Sequence, residues 1–376
     1  MANGGMTAAW QIRTRATFAD APARYDRSAM ASSWNKLRYD TTQAARVAWF
    51  FGQKLLAARF TRPVEAPPEL RGREVPDRAR ILGDLRKLLE QDWRNIAAGH
   101  YLPPEDWPRD PLGEIARAID CFADMAAVDA RRHGDPRERL LDAPEAARYP
   151  AYYRQRFHFQ SDGYLSAASA ARYDHQVEIL FGGAAAAMRR QALVPLRAAL
   201  LESPLGARAA RLVDIGCGTG AFLAEVKRNY PRLAVIGIDL SAPYLAVARK
   251  RLAAWSRATL AAANGEALPL ADASVDIVTS IYLLHELPPA ARRTVAGEIR
   301  RVLKPGGRFI NVDSLQAGDT PAYDAMLEWF PVAFHEPYYA SYLREDLGRL
   351  LAPGFAPVSR EVAYFSTVAS WRRTDG

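Results

Sequence analysis

Residues 211–222 read Arg-Leu-Val-Asp-Ile-Gly-Cys-Gly-Thr-Gly-Ala-Phe. An apolar run ending in Ile215 is followed by glycines at 216, 218 and 220 and then by helical sequence. Such a strand-to-helix turn lets the backbone approach a ligand, because no Cβ stands in the way. The free N–H groups of the new helix then face that ligand, so the chemistry implied is nucleotide binding. A carboxylate, Asp239, closes the next apolar run at about the chain distance where an acid meets ribose hydroxyls. Gly216, Gly218 and Ala221 also satisfy the loose dinucleotide spacing G-x-G-x-x-G/A. On the glycines alone, a nicotinamide dinucleotide and an adenosyl ligand both remain open.

These residues need a sheet to hold them. Apolar runs at 211–215, 233–238, 259–262, 275–281 and 308–312 alternate with helical patterns at 243–254 and 290–303, the signature of a parallel α/β sheet. Ser241 can cap the first of those helices, and Lys304-Pro-Gly-Gly307 reads as a tight turn into the fifth strand. Residues 313–341 interrupt the alternation. A helix at 344–351 and an antiparallel pair at 356–361 and 363–370 end the chain. Ahead of the glycine turn, one helix spans 184–201, and Ser166 opens another through Tyr173-Asp-His175 to Leu180. Residues 150–160 are dense in aromatics, with Tyr152, Tyr153, Phe157, His158 and Phe159, and core packing is the first expectation for each.

The chain divides into residues 1–150, helical and without readable chemistry, and 151–376, which carry the nucleotide site. A loose arm of twenty-odd residues precedes a helix from about 28 to 60, with Trp34, Leu37, Val47, Phe50, Phe51, Leu55 and Leu56 as its apolar positions. A Pro-rich linker at 63–76 follows. Asp77 caps a second helix with the stripe Ile81, Leu82, Leu85, Leu88, Leu89 and Trp93, and a loop with Pro103, Pro104, Pro108 and Pro111 leads to a third at 112–131. This region reads as a cap, a docking surface or an element of homodimerisation. Trp49, Phe50 and Phe51 beside Arg46, Lys54 and Arg59 also describe a helix lying on a membrane surface, against the simpler reading of core packing.

Composition narrows the classes. The 376 residues are 49% hydrophobic and 24% charged, ordinary for a globular protein. No apolar run approaches the roughly 20 residues that span a bilayer. The start lacks the pattern of a secretion signal, and Asp20 and Asp26 argue against a transit peptide. Two cysteines, Cys121 and Cys217, exclude a disulfide framework, so the expected location is the cytoplasm. The net charge of +8 comes from dispersed arginines interleaved with acids, so nucleic acid is not an expected partner.

Three further elements stand in order with the glycine turn. Asp214-Ile-Gly216-Cys-Gly218-Thr-Gly220 matches D-x-G-x-G-x-G. Asn264-Gly265-Glu266-Ala267-Leu268-Pro269 resembles an adenine-cradling element. Asp276 opens the fourth strand, and Arg301-Val-Leu-Lys-Pro-Gly-Gly307 stands before the fifth. In this order and spacing the chain resembles the class I S-adenosylmethionine (SAM) methyltransferases, nearest the type-11 or ubiquinone/menaquinone C-methyltransferase-like group, from about residue 173 onward. The resemblance implies an α/β fold: a Rossmann-like, mostly parallel sheet with an antiparallel terminal strand, here with a helical N-terminal domain. It implies SAM as cofactor, S-adenosyl-L-homocysteine as product and a small-molecule acceptor. Asp214, Gly216, Cys217, Gly218 and Gly220 would lie at the methionine part, with Cys217 as a small residue rather than a nucleophile. Asp239 would hold the ribose, and Leu240 would sit beside the adenine. Asn264 would contact the adenine edge, with Gly265 and Glu266 presenting backbone. Ser280, Ile281 and Tyr282 would line the sulfonium end, and Tyr173 or His175 would cover the cofactor.

Methyl transfer asks mainly for alignment, because the sulfonium is already activated. A hydroxyl or acidic-carbon acceptor also needs a base, and His is suited to that near neutral pH. His285, after the fourth strand, and His335, in Phe334-His-Glu-Pro-Tyr-Tyr339, are the candidates. The competing readings are a backbone cap for His285 and a local His335–Glu336 hydrogen bond. In the resemblance, residues 313–342 form the acceptor pocket, with Tyr338, Tyr339 and Tyr342 as aromatic walls. His285, Glu286, His335 and Glu336 lack a recognised ligand spacing, so no metal is expected. The expected activity is methyl transfer to oxygen or carbon of a small aromatic or quinone-like acceptor. The rivals are a nucleic-acid or protein methyltransferase, a non-catalytic binding module and a nicotinamide dehydrogenase.

Overall fold

The structure is a computed structural model that describes residues 32–106, 110–134, 148–203, 206–352 and 354–374. The expected N-terminal arm, residues 28–31 of the first expected helix, and Pro108 lie outside them. Seven strands make one sheet in the order β3-β2-β1-β4-β5-β7-β6. β1 (Arg211–Ile215), β2 (Ala234–Asp239), β3 (Ala258–Ala262), β4 (Val275–Ile281) and β5 (Leu303–Ser314) are parallel. β6 (Phe355–Ala363) and β7 (Ser366–Arg373) pair antiparallel, and β7 runs antiparallel against β5. β1 is flanked by β2 and β4, so the strand order reverses there. At such a reversal the chain leaves adjacent strands in opposite directions and opens a crevice at their carboxyl ends. β1 and β4 are covered on both faces, which is why they read as continuous apolar runs.

At the amino ends of these strands, Asp276 is a strut. Its carboxylate accepts from the Arg211 N–H at 2.8 Å and from Lys304 Nζ at 2.7 Å. Residues 304–307, expected as a turn before the strand, lie inside it as a bulge. Leu303 already pairs with Val275, and the register resumes at Arg308 opposite Ile277. Gly306 takes φ +75°, and a Cβ on Gly307 would meet the Lys304 carbonyl at 2.7 Å.

The single helix expected at 184–201 is broken into Ala185–Arg190 and Leu193–Glu202. Pro195 cannot donate to the Gln191 carbonyl. The chain tightens there instead, with Ala192 N–H donating to Arg189 and Val194 N–H to Gln191. The helix expected at 344–351 starts later, at Leu347, where Asp346 caps it through the Arg349 N–H.

Three long helices, Ser33–Phe60, Arg78–Ala97 and Pro111–Arg132, form the N-terminal region. Tyr39, Leu85, Leu88, Ile96 and Tyr101 join the same buried core as Leu196, Leu212 and Phe222 of the sheet side. A largely buried ionic network lies in this seam. Arg190 donates to Asp92 at 2.7 Å and to Asp106 at 3.0 Å, while Tyr39 and Tyr101 donate to Asp92 at 2.7 and 2.6 Å. The apolar positions expected to form one core stripe on the first helix do not. Phe50 is buried, but Trp34, Leu37, Leu55 and Leu56 are exposed, because the inward face carries Tyr39, Gln43 and Gln53. Cys121 and Cys217 are both free and buried. No described helix is long and apolar enough to cross a membrane.

Removing one member of a buried ion network leaves its partners charged and unpaired, at a cost of about 3–5 kcal/mol. Arg190→Met is therefore expected to lower unfolding free energy in urea by about that amount. A loss below roughly 1 kcal/mol would show that the seam is not held by this network.

Candidate functional site

The turn after β1 has its backbone fixed by β2. Gly216 and Cys217 N–H both donate to the Ile238 carbonyl, at 2.8 and 3.0 Å, and Gly218 N–H donates to Asp239 Oδ2 at 2.8 Å. Gly216, Gly218 and Gly220 take φ of +70°, +53° and +73°, conformations that L side chains rarely adopt. Their surroundings differ. A Cβ on Gly216 would press on Leu283 at 3.0 Å and one on Gly220 on Ala248 at 3.0 Å. One on Gly218 would find only Tyr244, at 4.0 Å. Gly216 and Gly220 serve close packing, and Gly218 faces open space.

Asp239 borders that space. Its second oxygen accepts from the Ser241 N–H at 2.8 Å, so two backbone amides aim the carboxylate. Burial raises its pKa, and those amide donors oppose the rise. Asp214 does not reach the cleft. It is buried, accepts from Thr279 Oγ1 at 2.7 Å, and burial pushes its pKa up to about 7. Cys217 is buried beneath the turn, where its sulfur would lie 2.8 Å from a Cβ on Gly237. Burial raises its thiol pKa well above the ordinary value, and it is a packing residue. Ser280 is fully buried in β4 opposite Ile215 and Asn311, and does not line the cleft.

The cleft and the open solvent at its mouth together hold about 790 Å³ free of protein atoms. Of the residues expected around the cofactor, Gly216, Gly218, Asp239, Leu240, Asn264, Gly265, Ile281, Tyr282 and Tyr173 line it. Asn264 is held by its neighbours: its Oδ1 accepts from the Glu266 N–H at 3.0 Å, and its Nδ2 donates to Glu266 Oε1 at 3.1 Å. Tyr152 reaches the same acid, donating to Glu266 Oε1 at 2.6 Å.

A roof of aromatic side chains was not legible as such in the sequence. Tyr152, Tyr153, Phe157, Tyr164 and Tyr244 line the cleft beside Tyr173. Phe157 stacks on Tyr164 at 5.2 Å between centroids, and Tyr164, Tyr173 and Tyr244 meet edge to face. The density of aromatics at 150–160 was the available signal. The helix Ala167–Leu180 ties this roof to the glycine turn, because Asp174 accepts from Thr219 Oγ1 at 2.8 Å and from Arg251 at 2.6 Å. His175 faces the other way. It is buried against the N-terminal helices, 2.9 Å from Gln53 Oε1 and 3.2 Å from Glu114 Oε2.

Beyond Tyr282, the cleft is lined by Leu283, Glu286 and Leu287. His285 points away from it. Its Nδ1 lies 2.5 Å from Asp313 Oδ1, and the rings of Tyr339 and Tyr342 flank it edge on. Burial works against its charge, but Asp313, with Glu336 and Glu286 behind, wins and lifts its pKa to about 9. The imidazole therefore carries its proton at neutral pH. Neither expected reading, a free base or a cap on backbone carbonyls, describes it. Tyr339 and Tyr342 are buried around this pair, with hydroxyls on the Ser314 hydroxyl and carbonyl, and they do not wall the cleft. Tyr338 is half-buried, meets Tyr152 edge on, and does not line the cleft either.

His335 closes the helix Asp324–Phe334 at φ +50°, with Nε2 3.3 Å from Gln155 Oε1 and its ring against Phe159. The expected His335–Glu336 hydrogen bond is replaced by another contact, Glu336 Oε1 with His158 Nε2 at 3.0 Å. Glu286 accepts from Tyr164 at 2.7 Å, and burial together with the nearby Glu336 raises its pKa to about 7.

With this geometry in hand, comparisons with known proteins agree on one class. Residues 212–307 match the family model described as a methyltransferase domain. The chain is similar to a malonyl-[acyl-carrier protein] O-methyltransferase of Xylella fastidiosa (strain M23), 39% identical over 117 residues, 30% of this chain and 38% of that protein. It is similar to the ubiquinone/menaquinone biosynthesis C-methyltransferase UbiE of Desulfotalea psychrophila, 34% identical over 148 residues, 38% of this chain and 53% of that protein. The UbiE protein of Methylobacterium nodulans is 31% identical over 210 residues, 52% of this chain and 79% of that protein. The first two relatives are thus spanned over about two-fifths and half of their length.

The raised pKa of Asp214 makes a stability prediction with a definite sign. Its folded value of about 7 stands above the ordinary 3.8. The folded chain therefore holds a proton that the unfolded chain releases between those values, and stability falls as pH rises from about 4 to 7. Asp214→Asn lacks that titration and keeps an acceptor for Thr279. The variant is expected to gain on the wild type by up to roughly 4 kcal/mol between pH 4 and 8, read by urea unfolding. A constant difference across that range would mean that Asp214 is ionised in the folded protein.

Proposed function

Because the chain belongs to the class I S-adenosylmethionine-dependent methyltransferases, we propose that it moves the methyl group of S-adenosylmethionine to an oxygen or carbon of a small aromatic or quinone-like acceptor. The observation that carries this reading is the turn itself. Gly218 leaves open the space that any side chain would fill, and Asp239, aimed by two amides, borders it. These residues fit an adenosyl ligand: Asp239 can accept from two ribose hydroxyls, and Leu240, Asn264 and Gly265 line the part of the cleft suited to the base. Ile281 and Tyr282 stand at the end of β4, where the sulfonium belongs.

The cofactor supplies an already activated methyl group, so the work of this chain is to position and to exclude water. Tyr153, Phe157, Tyr164 and Tyr173 roof the cleft and supply aromatic walls. The helices of residues 1–150 act as a cap that buttresses this roof. Arg131 donates to the Phe159 carbonyl at 2.6 Å, and Gln53 and Glu114 hold His175 on the helix that carries Tyr173. The acceptor enters beyond Tyr282, beside Leu283 and Glu286. A quinone-like acceptor is favoured by the aromatic walls and by relatives named for quinone biosynthesis.

Titration calorimetry with S-adenosyl-L-homocysteine tests the core of this reading. The wild type is expected to bind it. Gly218→Ala, whose methyl enters the cleft, is expected to bind at least about tenfold more weakly, with its unfolding free energy lowered only by the roughly 1–2 kcal/mol cost of a left-handed alanine. Asp239→Ala should lose about 2–3 kcal/mol of affinity, the worth of charge-assisted bonds. No heat with the wild type, or full affinity in both variants, would refute the assignment. Transfer of labelled methyl to RNA or peptides but not to phenols and hydroquinones would refute the acceptor class.

A further inference from the structure

We propose that His158, Glu286 and Glu336 form a binding site for a first-row divalent metal ion at the acceptor end of the cleft. The three residues come from separate segments: the turn Phe157–Phe159, the turn Leu284–Glu286 after β4, and the position just past the helix Asp324–Phe334. Folding brings one ligand atom from each to within 4.8 Å of the others. Nitrogen and oxygen ligands at about 2.0–2.2 Å from one ion lie about 3–4 Å apart, so small side-chain adjustments close the set.

A second observation points to a ligand independently of that clustering. Glu336 is fully buried; Oε1 meets only His158 Nε2, 3.0 Å away, and Oε2 has no hydrogen-bond partner among the described residues. A buried carboxylate normally has its lone pairs satisfied, because removing it from water is costly. A cation between Glu336, Glu286 and His158 would satisfy it. Tyr164, which donates to Glu286 at 2.7 Å, is placed as the outer partner that orients a ligating carboxylate.

The donor set decides the kind of ion. One imidazole nitrogen with two carboxylates suits Zn²⁺, Mn²⁺, Fe²⁺ or Co²⁺, whereas Mg²⁺ and Ca²⁺ favour sites made only of oxygen. Three protein ligands leave coordination positions free, as in sites that bind a substrate. Glu286 lines the cleft, so the free positions open toward the acceptor, and a hydroxyl or carbonyl oxygen is the group they suit. This last step rests on the methyl-transfer reading; binding of the ion does not.

The test uses the full chain, stripped with a chelator and dialysed, without cofactor. Calorimetric titration with Mn²⁺ and with Zn²⁺ is expected to give one ion per chain. His158→Ala and Glu336→Gln should each weaken it at least about tenfold, while S-adenosyl-L-homocysteine affinity stays at the wild-type value as proof of folding. Co²⁺ added to the wild type should give d–d absorption bands that Zn²⁺ displaces, a readout that needs no variant. Absence of binding and of Co²⁺ bands at millimolar metal would overturn the site and leave His158 and Glu336 as an ion pair only. Binding that both variants leave unchanged would overturn it equally, as would Mg²⁺ binding as tight as Mn²⁺. None of these results bears on whether the adenosyl ligand binds, so the two assignments fail separately.

Discussion

The structure depends first on how the carboxyl end of β2 holds the backbone leaving β1. The Ile238 carbonyl takes two amides, from Gly216 and Cys217, and the Asp239 carboxylate takes a third, from Gly218. Three successive N–H groups are thus committed to the neighbouring strand. The turn has no freedom to collapse into the space it borders. That commitment is possible only because glycines accept the left-handed conformations it imposes. It also turns Asp239 from a mobile surface acid into a fixed acceptor at the mouth of the crevice. The parallel sheet matters here because it sets β1 and β2 in a register that brings Ile215 opposite Ile238.

A crevice at a strand-order reversal is open on one side, and here aromatic side chains after residue 150 cover part of it. Aromatics from residues 152–173 form the roof, and the helices Ser33–Phe60 and Pro111–Arg132 pack behind it. Two polar links keep the layers in place. Asp174 joins the roof helix to Thr219 and Arg251, and Arg190 joins the seam to Asp92 and Asp106. The buried Arg190 network adds little net stability compared with apolar packing, but it penalises misregistered arrangements, in which a charge would be left unpaired.

Much of the sheet was legible in the sequence, because a buried parallel strand and the helix after it leave a local pattern. Glycine conformation is local too, so Gly216, Gly218 and Asp239 could be read from a dozen residues each. The end of the cleft beyond Tyr282 could not. Tyr164, Tyr244 and Glu286 reach the cleft from segments far apart in the chain, and no periodicity announces where their side chains meet. The helix at 184–201 was read as continuous because its apolar pattern runs through Pro195, whose missing N–H breaks it. His285 and His335 were singled out by residue type. Both turned out to be committed, one to Asp313 and one to Gln155 and Phe159, while His158, read as packing, faces an acid. Ser280, Tyr339 and Tyr342 were placed by analogy of position, and side-chain direction within strand and helix sent them into the core.

The commitment of His285 has its own consequence for the site. Asp313 accepts from the Leu284 N–H at 2.8 Å through one oxygen and meets His285 Nδ1 through the other. Tyr282 N–H donates to the Val312 carbonyl at 2.7 Å, and its hydroxyl pairs with Ser366 Oγ at 2.7 Å. The segment after β4 is therefore clipped to β5 and β7 at three successive points, with Tyr282 held at φ +58°. A non-glycine residue keeps such a conformation only when its surroundings over-determine it. With Tyr282, Leu284 and His285 pinned to the sheet, Leu283 and Glu286 are left to face the cleft. His285 thus acts through the backbone it anchors: its contact with Asp313 helps decide which side chains face the cleft.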